Sequence, residues 1–232
     1  MPLPPHRHGR NMLPPSAALS RSLGLLTSAG PGTPSLAPRL DRAGLYITAR
    51  ARWHDSAALA ELHSRGPALL LLDVPETEEE AVPELIRAAR LIAPIAVLPP
   101  TLACTLAAFD AGAVDVLDRR APAAELTWRI HASLRRLTTP TPTPTACRIS
   151  RSGVQNMLFD ILTRARQPVC CHHLRLLMGS PGFPITLRAL KARIQRLHPA
   201  FHEHQRTLLV DQQWGLATFR TRPLSHWRPT AA

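Results

Sequence analysis

Residues 68–73 read Ala-Leu-Leu-Leu-Leu-Asp, a continuous apolar run that ends in a carboxylate. Such a run is typical of a central strand in a parallel sheet, because helices cover both faces of that strand and neither face needs polar side chains. The acidic stretch from Glu76 to Glu80 follows and opens the next helix. We therefore predict a buried strand that places Asp73 at its carboxyl end.

Similar strand-and-helix units lie on both sides of this run. Strands are predicted at 23–27, 45–48, 95–98 and 114–117, and helices at 35–43, 56–63, 103–111 and 122–137. The uncharged segment 91–109 has the length of a membrane span, but three prolines interrupt it, so it is interpreted as a strand followed by a helix. Five such units predict an α/β doubly wound parallel sheet, in which functional groups collect at the carboxyl ends of the strands.

The charge of the chain is divided between two regions. Residues 148–232 carry 13 cationic and 3 acidic side chains, a net charge of +10, whereas residues 22–137 carry 12 and 13 and residues 1–21 add three arginines. A Thr-Pro repeat within 138–147 separates the regions, and its prolines favour an extended spacer between independent domains. Because phosphate backbones attract cations whatever the base sequence, the basic region is predicted to bind nucleic acid.

The basic region has the pattern of a small helical domain. Apolar spacing predicts helices at 154–166 and 186–198, with another that follows Val169 and extends through Met178. Two short apolar runs at 207–210 and 217–220 predict a β-hairpin. Three helices and a hairpin predict a winged helix-turn-helix domain.

The order of these elements and four local motifs resemble an OmpR-type response regulator from Leu23 to Arg220. The motifs are ALLLLDV at 68–74, AGAVDVL at 111–117, ELTWRIHASLRR at 125–136 and ITLRALKARI at 185–194. The resemblance implies a flavodoxin-like receiver of five parallel strands at 22–137, a Thr/Pro linker at 138–147 and a winged-helix DNA-binding domain at 148–232. The Pro-broken segment 1–21 is predicted to be a disordered tail.

The receiver-like motifs depart from the family where phosphorylation takes place. Asp73 matches the phosphoacceptor, but Ser28 and Ala29 stand where the family has the acidic pair that binds Mg²⁺. Pro99 replaces the hydroxyl residue after the fourth strand, and Arg119 replaces the lysine after the fifth. We therefore expect an atypical receiver in which Asp73 is not phosphorylated. The alternative role of Asp73 is a residual carboxylate paired with Arg119 or Arg120.

The resemblance also implies partner-binding residues. It places Asp115 and Arg129 where family receivers form ion pairs across a homodimer, although both residues are equally compatible with solvated surface charges. Double-stranded DNA is the expected partner of the third basic-region helix and the hairpin. The candidate DNA-binding residues are Thr186, Arg188, Lys191, Arg193, Arg196, Arg220 and Arg222.

Other functional classes find little support in the sequence. No nucleophile and base stand at the spacing of a known catalytic motif, and no glycine-rich loop suits a phosphate, so an enzyme is not expected. Cys170, Cys171, His172 and His173 are adjacent on one helix and point in four directions, so no metal or cofactor is assigned. Four cysteines are too few for a disulfide scaffold, which together with the missing signal-peptide pattern predicts a cytoplasmic protein without membrane attachment.

These features together predict a homodimeric, sequence-specific transcription regulator that acts on DNA and has RNA polymerase as a further possible partner. Two alternatives remain open. In the first, the basic domain is a protein-interaction adaptor that docks an acidic partner. In the second, the altered pocket near Ser28, Asp73 and Pro99 senses a small molecule.

Overall fold

A five-stranded, all-parallel sheet organises the amino-terminal half of the computed structural model. The structure describes residues 22–28, 36–99, 101–137, 152–213 and 216–224, so the tail predicted at 1–21 and the spacer predicted at 138–147 lie outside the described residues. The strands are β1 (Leu23–Thr27), β2 (Ile47–Arg52), β3 (Leu69–Asp73), β4 (Ile95–Leu98) and β5 (Asp115–Val116). Their order in the sheet is β2-β1-β3-β4-β5, which confirms the predicted doubly wound α/β class.

Helices cover both faces of this sheet. They are α1 (Ala37–Arg42), α2 (Ser56–Ser64), α3 (Val82–Ala89), α4 (Thr105–Asp110) and α5 (Ala123–Arg136). The four leucines of β3 alternate between the two faces and are fully buried, which contributes about 1.5–3 kcal/mol each. Leu69 and Leu71 pack in the cluster that contains α1 and α5, whereas Leu70 and Leu72 pack in the cluster that contains α2 and α3.

Several predicted boundaries differ from the structure by one or two residues, and in the half that contains the large sheet two differ further. The second strand starts at Ile47 rather than at residue 45 and continues to Arg52, because an edge strand pairs on one side only and tolerates exposed polar side chains. The acidic stretch forms a 3-10 segment at Glu76–Ala81, and the α-helix begins only at Val82. Pro83 stands in the first turn of that helix, where its missing N–H is tolerated.

The described residues of the carboxyl-terminal half form four helices and a small antiparallel sheet. The helices are α6 (Gly153–Arg164), α7 (Cys171–Met178), α8 (Leu187–Gln195) and α9 (His198–Glu203), and the strands are β6 (Val169–Cys170), β7 (Arg206–Gln213) and β8 (Leu216–Pro223). The hairpin of β7 and β8 was predicted, and β6 adds a third strand beside β8. The helix predicted at 186–198 ends at Gln195, and a further helix, α9, begins at His198 with Pro199 in its first turn.

The two halves pack against each other, contrary to the independence that the Thr-Pro repeat suggested. One apolar core is continuous from the α2 and α3 side of the large sheet into the helices of the second half. Trp53, which follows β2 and is fully buried, donates its indole N–H to the carbonyl oxygen of Leu176 at 2.8 Å. The amino end of α6 lies against α2, where a Cβ on Gly153 would be 3.4 Å from the Cβ of Ala60.

We expect Trp53→Phe to lower the free energy of unfolding by about 1–3 kcal/mol, because the carbonyl of Leu176 loses its shorter hydrogen bond and keeps only the one from the N–H of Gly179 at 3.3 Å, and the smaller ring leaves buried space. Chemical denaturation of the full chain measures this change. Tyr46→Phe is the matched control, because the side chain of Tyr46 is 82% exposed and the change should alter stability by less than about 0.5 kcal/mol. Equal stabilities of the two variants would show that Trp53 does not join the halves.

Candidate functional site

The carboxyl edge of the large sheet holds the first candidate site. Asp73 ends β3 beside the end of β1 and is only 2% exposed. The backbone N–H of Ser28 donates to the carbonyl oxygen of Asp73 at 3.1 Å, so the two residues are held side by side. Pro99 is buried directly after β4, and Ala29 lies outside the described residues. The structure therefore brings Ser28 and Asp73 to one edge, as the sheet topology predicts.

Arg119 provides the cation of this pocket. Its guanidinium donates to the Asp73 carboxylate and to the carbonyl oxygen of Val74, the latter at 3.2 Å. Arg39 in turn donates to the carbonyl oxygens of Arg119 and Ala121, which fixes the loop that carries Arg119. Asp73 is thus paired with one of the two arginines expected near it.

Burial dominates the electrostatics of this pocket. It raises the pKa of the Asp73 carboxyl, and the charge and hydrogen bond of Arg119 offset that rise only in part. Burial likewise raises the pKa of Glu78, against a hydrogen bond from Ser28. Sequence reasoning missed Glu78, because it stands within an acidic run in which every carboxylate has the same local pattern. The pocket therefore combines the buried carboxyl of Asp73, the partly buried carboxyl of Glu78 and one guanidinium.

Asp115 and Arg129 pair within one chain. Arg129 donates to Asp115 at 2.5 Å, Ser133 contributes a hydroxyl at 3.3 Å, and Arg136 lies 3.8 Å away. Asp115 is buried among these groups on β5, whereas Arg129 is partly exposed. A cross-subunit role for this pair stays a prediction, and it requires the intrachain contacts to exchange.

The second candidate site is the exposed face of α8. Thr186 caps this helix through its hydroxyl, which accepts from the backbone N–H of Ala189 at 3.1 Å. Leu190 and Ile194 are buried and fix the inward face. A shallow groove of about 440 Å³ runs along the outward face, and it is lined by Leu187, Arg188, Lys191, Ala192 and Gln195.

The remaining predicted DNA-binding residues occupy different positions. Arg196 is exposed at the carboxyl end of α8, but Arg193 is half-buried, and its Nη1 is buried without a hydrogen-bond partner among the described residues. Arg220 and Arg222 are exposed two residues apart on β8, opposite the face on which Ala217 and Phe219 are buried. Gln195 was missed, because an uncharged side chain at the end of a basic helix gives no charge signal.

The cysteine and histidine run forms part of the contact between the halves. Cys171 is buried, and His173 lies 3.1 Å from a carboxylate oxygen of Glu84 on α3, with His172 at 3.7 Å from the same oxygen. Within the described ranges, no group of three His, Cys, Asp or Glu side chains is arranged to hold a metal ion. None of the helices in those ranges combines the length and apolar character that a membrane crossing requires.

His173 makes the contact between the halves sensitive to pH. Burial lowers the pKa of His173 from its usual 6.5, and the nearby Glu84 offsets this only in part. The unfolded chain therefore binds the proton more readily, so the contribution of His173 is present above pH 6.5 and is lost as the pH falls through the lowered pKa. We expect His173→Gln to flatten the fall in unfolding free energy between about pH 7 and pH 5.

Denaturation curves at several pH values measure this dependence. The control is His202→Gln, which changes an exposed histidine of α9 and should leave the slope unaltered. An unchanged slope in the His173 variant would contradict the assignment.

No protein-family model matches this chain, and no curated protein is similar to it at a significant level.

Proposed function

We propose that this chain is a DNA-binding transcription regulator of the OmpR response-regulator type, with an atypical receiver that phosphorylation does not control. The single observation that carries the proposal is the outward face of α8, where Arg188 and Lys191 line an open groove beside a capped helix start. Arginine and lysine side chains on an exposed helix are suited to guanine edges and phosphates in a major groove.

The surrounding architecture supports a winged-helix function. The helices α6, α7 and α8 and the short α9 precede a β-hairpin, and β6 joins that hairpin in a three-stranded antiparallel sheet. Arg220 and Arg222 project from the exposed face of β8 and supply the hairpin with phosphate-binding cations. The net charge of +10 on residues 148–232 agrees with a polyanionic partner.

The pocket around Asp73 supports regulation without a phosphoryl group. An aspartyl-phosphate forms readily when a divalent cation neutralises the charge that gathers between the carboxylate and the donor. In this chain the carboxylate of Asp73 is instead buried against the guanidinium of Arg119. The guanidinium of Arg119 thus pairs with the carboxylate that would accept a phosphoryl group. Ser28 stands where response regulators have a metal-binding carboxylate.

An exposed apolar edge supports the homodimer in the proposal. The edge strand β5 is flanked by α4 and α5, on which Leu106 is 74% and Trp128 71% exposed, and Phe109 lies on the same helix as Leu106. A two-fold pair of chains would present two copies of α8 to half-sites about one helical turn apart. Sedimentation of the full chain tests this part, and a purely monomeric protein at micromolar concentration would contradict it.

The test of the function is selection from a random-sequence duplex pool, followed by titration of the enriched site and a scrambled duplex at several salt concentrations. We expect a difference in affinity of about 10³-fold or more between the two duplexes. The logarithm of the affinity should fall linearly with the logarithm of the salt concentration, by about 0.9 for each phosphate contacted. No enrichment, together with equally tight binding of polyglutamate, would favour the protein-interaction adaptor instead.

A further inference from the structure

A second cavity lies at the junction of the two halves, at the opposite end of the sheet from Asp73. It has a volume of about 500 Å³ and is lined from both sides. Its lining residues are His63, Arg90, Leu91, Ile92, Ala93, Pro94, Gly112, Val114, Leu137, Ile161, Arg164 and Ala165. Pro94 and Val114 precede β4 and β5, so the cavity opens at the amino ends of these strands. Its volume is in the range of natural small-molecule sites, about 300–1,000 Å³.

The charged groups on the cavity wall are all basic. Arg90 follows α3, and Arg164 ends α6, so each half contributes one guanidinium, and no acidic residue is among those that line the cavity. Arg90 donates to the carbonyl oxygen of Ala111 at 3.1 Å, and in the part of the chain that the structure describes no carboxylate pairs with it. Arg90 therefore keeps an uncompensated charge beside the cavity.

The position of Arg90 depends on Gly112. This residue has a backbone φ of +93°, and a Cβ there would collide with the guanidinium of Arg90. A glycine at this position therefore allows the turn before β5 and leaves free the space that the guanidinium of Arg90 occupies. Arg90 is held at the cavity wall by its surroundings rather than by an acidic partner.

His63 adds an open hydrogen-bonding position. Its side chain is 6% exposed, and its Nε2 lies 3.3 Å from Asp160 on α6, which also accepts from Arg164 at 3.1 Å. The other ring nitrogen, Nδ1, is buried and has no hydrogen-bond partner among the residues described. A buried ring nitrogen without a partner is costly unless a further group pairs with it. His63 also lines the cavity, which places a polar ring beside the space that a bound molecule would occupy.

We propose that this cavity binds a small organic acid, an anionic head group on an apolar body. The carboxylate pairs with Arg90, and the guanidinium of Arg164, which Asp160 already pairs, lies on the same wall. The apolar body contacts Ile92, Ile161 and Ala165, and the pocket is separate from the one around Ser28 and Asp73. Because the lining residues come from both halves and from Leu137, the last described residue before the linker, the bound acid stabilises their packed arrangement. The site goes beyond DNA binding and is testable without DNA.

The first test compares octanoate with octylamine and 1-octanol as probes, at equal ionic strength and below the concentrations at which they form micelles. We expect octanoate to raise the melting temperature by about 5 °C at 100 times its dissociation constant, with no comparable rise from the other two. Equal shifts from octylamine or octanol would overturn the proposal, because they would show an apolar site without preference for an anion.

Variants locate the site. Arg90→Gln should reduce the affinity for octanoate by at least tenfold, whereas Arg65→Gln, which removes an exposed arginine paired with Glu61, should leave it unchanged. Ala165→Phe fills the cavity without a change in charge and should abolish the octanoate response. If Arg90→Gln fails to fold, the octanoate response of Ala165→Phe alone tests the proposal. A full octanoate response in a folded Ala165→Phe protein would overturn the proposal.

Discussion

Replacing Arg188 and Lys191 together with alanine is expected to weaken binding of the selected duplex by about 100-fold or more. Each side chain is exposed on α8 and lines its outward groove. A side chain that reads a base edge contributes about 1–3 kcal/mol, and each 1.4 kcal/mol changes the affinity tenfold. The loss of both contacts is therefore expected to weaken duplex binding more than the removal of two charges far from the duplex.

The matched control removes the same charge from the other half of the chain. The variant Arg65→Ala plus Arg135→Ala removes an exposed arginine after α2 and another on α5. We expect the affinity for the duplex to change by less than about threefold. Fluorescence anisotropy with labelled duplex at a fixed salt concentration measures both variants. Equal losses in the two double variants would show that binding follows net charge alone, and the assignment of α8 as the reading helix would be wrong.

Arg193 shows how burial changes a choice made from the sequence. Helical spacing places it on the basic arc with Arg188 and Lys191, but the structure buries part of its guanidinium. Arg188→Ala plus Arg193→Ala would therefore mix the loss of a proposed DNA contact with a packing defect. The spacing of the apolar stripe determines which side faces inward, but it does not determine how far neighbouring elements cover the edges of the exposed arc.

The large sheet was predictable because its signal is local. Five apolar runs with turns between them specify the strands, and a run such as 69–73 is too apolar for any place but the centre. The contact between the halves was not predictable, because it depends on single long-range partners. Nothing near Trp53 in the chain indicates that its indole meets Leu176, which is 123 residues away.

The candidate pockets divide in the same way. Asp73 ends β3 and Arg119 follows β5, and the carboxyl ends of these strands meet at one edge, so the topology brings the two residues together. Glu78 and the cavity lined by His63 and Arg90 depend on how loops and helices pack, and their residues carry no common motif. Sequence reasoning therefore finds the pocket that is built on strand ends. It misses Glu78 and the cavity between the halves, which depend on the packing of loops and helices.

Arg119→Gln is expected to lower the free energy of unfolding at pH 7 by about 3–5 kcal/mol, because it leaves the carboxylate of Asp73 buried without its cation. With Arg119 gone, burial raises the pKa of Asp73 further, and the folded state binds a proton that the unfolded state releases. The penalty is therefore largest at neutral pH and disappears as the pH falls toward 3.8, the ordinary pKa of the carboxyl.

The double variant Asp73→Asn plus Arg119→Gln tests whether the unpaired carboxylate of Asp73 causes the loss of stability in Arg119→Gln. Removing both charges relieves the buried carboxylate, and stability should return to within about 1 kcal/mol of the unaltered chain with no pH dependence from this site. Arg50→Gln is the control, since Arg50 and Asp41 form an exposed pair whose loss changes stability by less than about 1 kcal/mol. If the double variant is no more stable than Arg119→Gln, the carboxylate of Asp73 is not what Arg119 neutralises. The proposal that the guanidinium of Arg119 replaces a metal ion at this carboxylate would then fail.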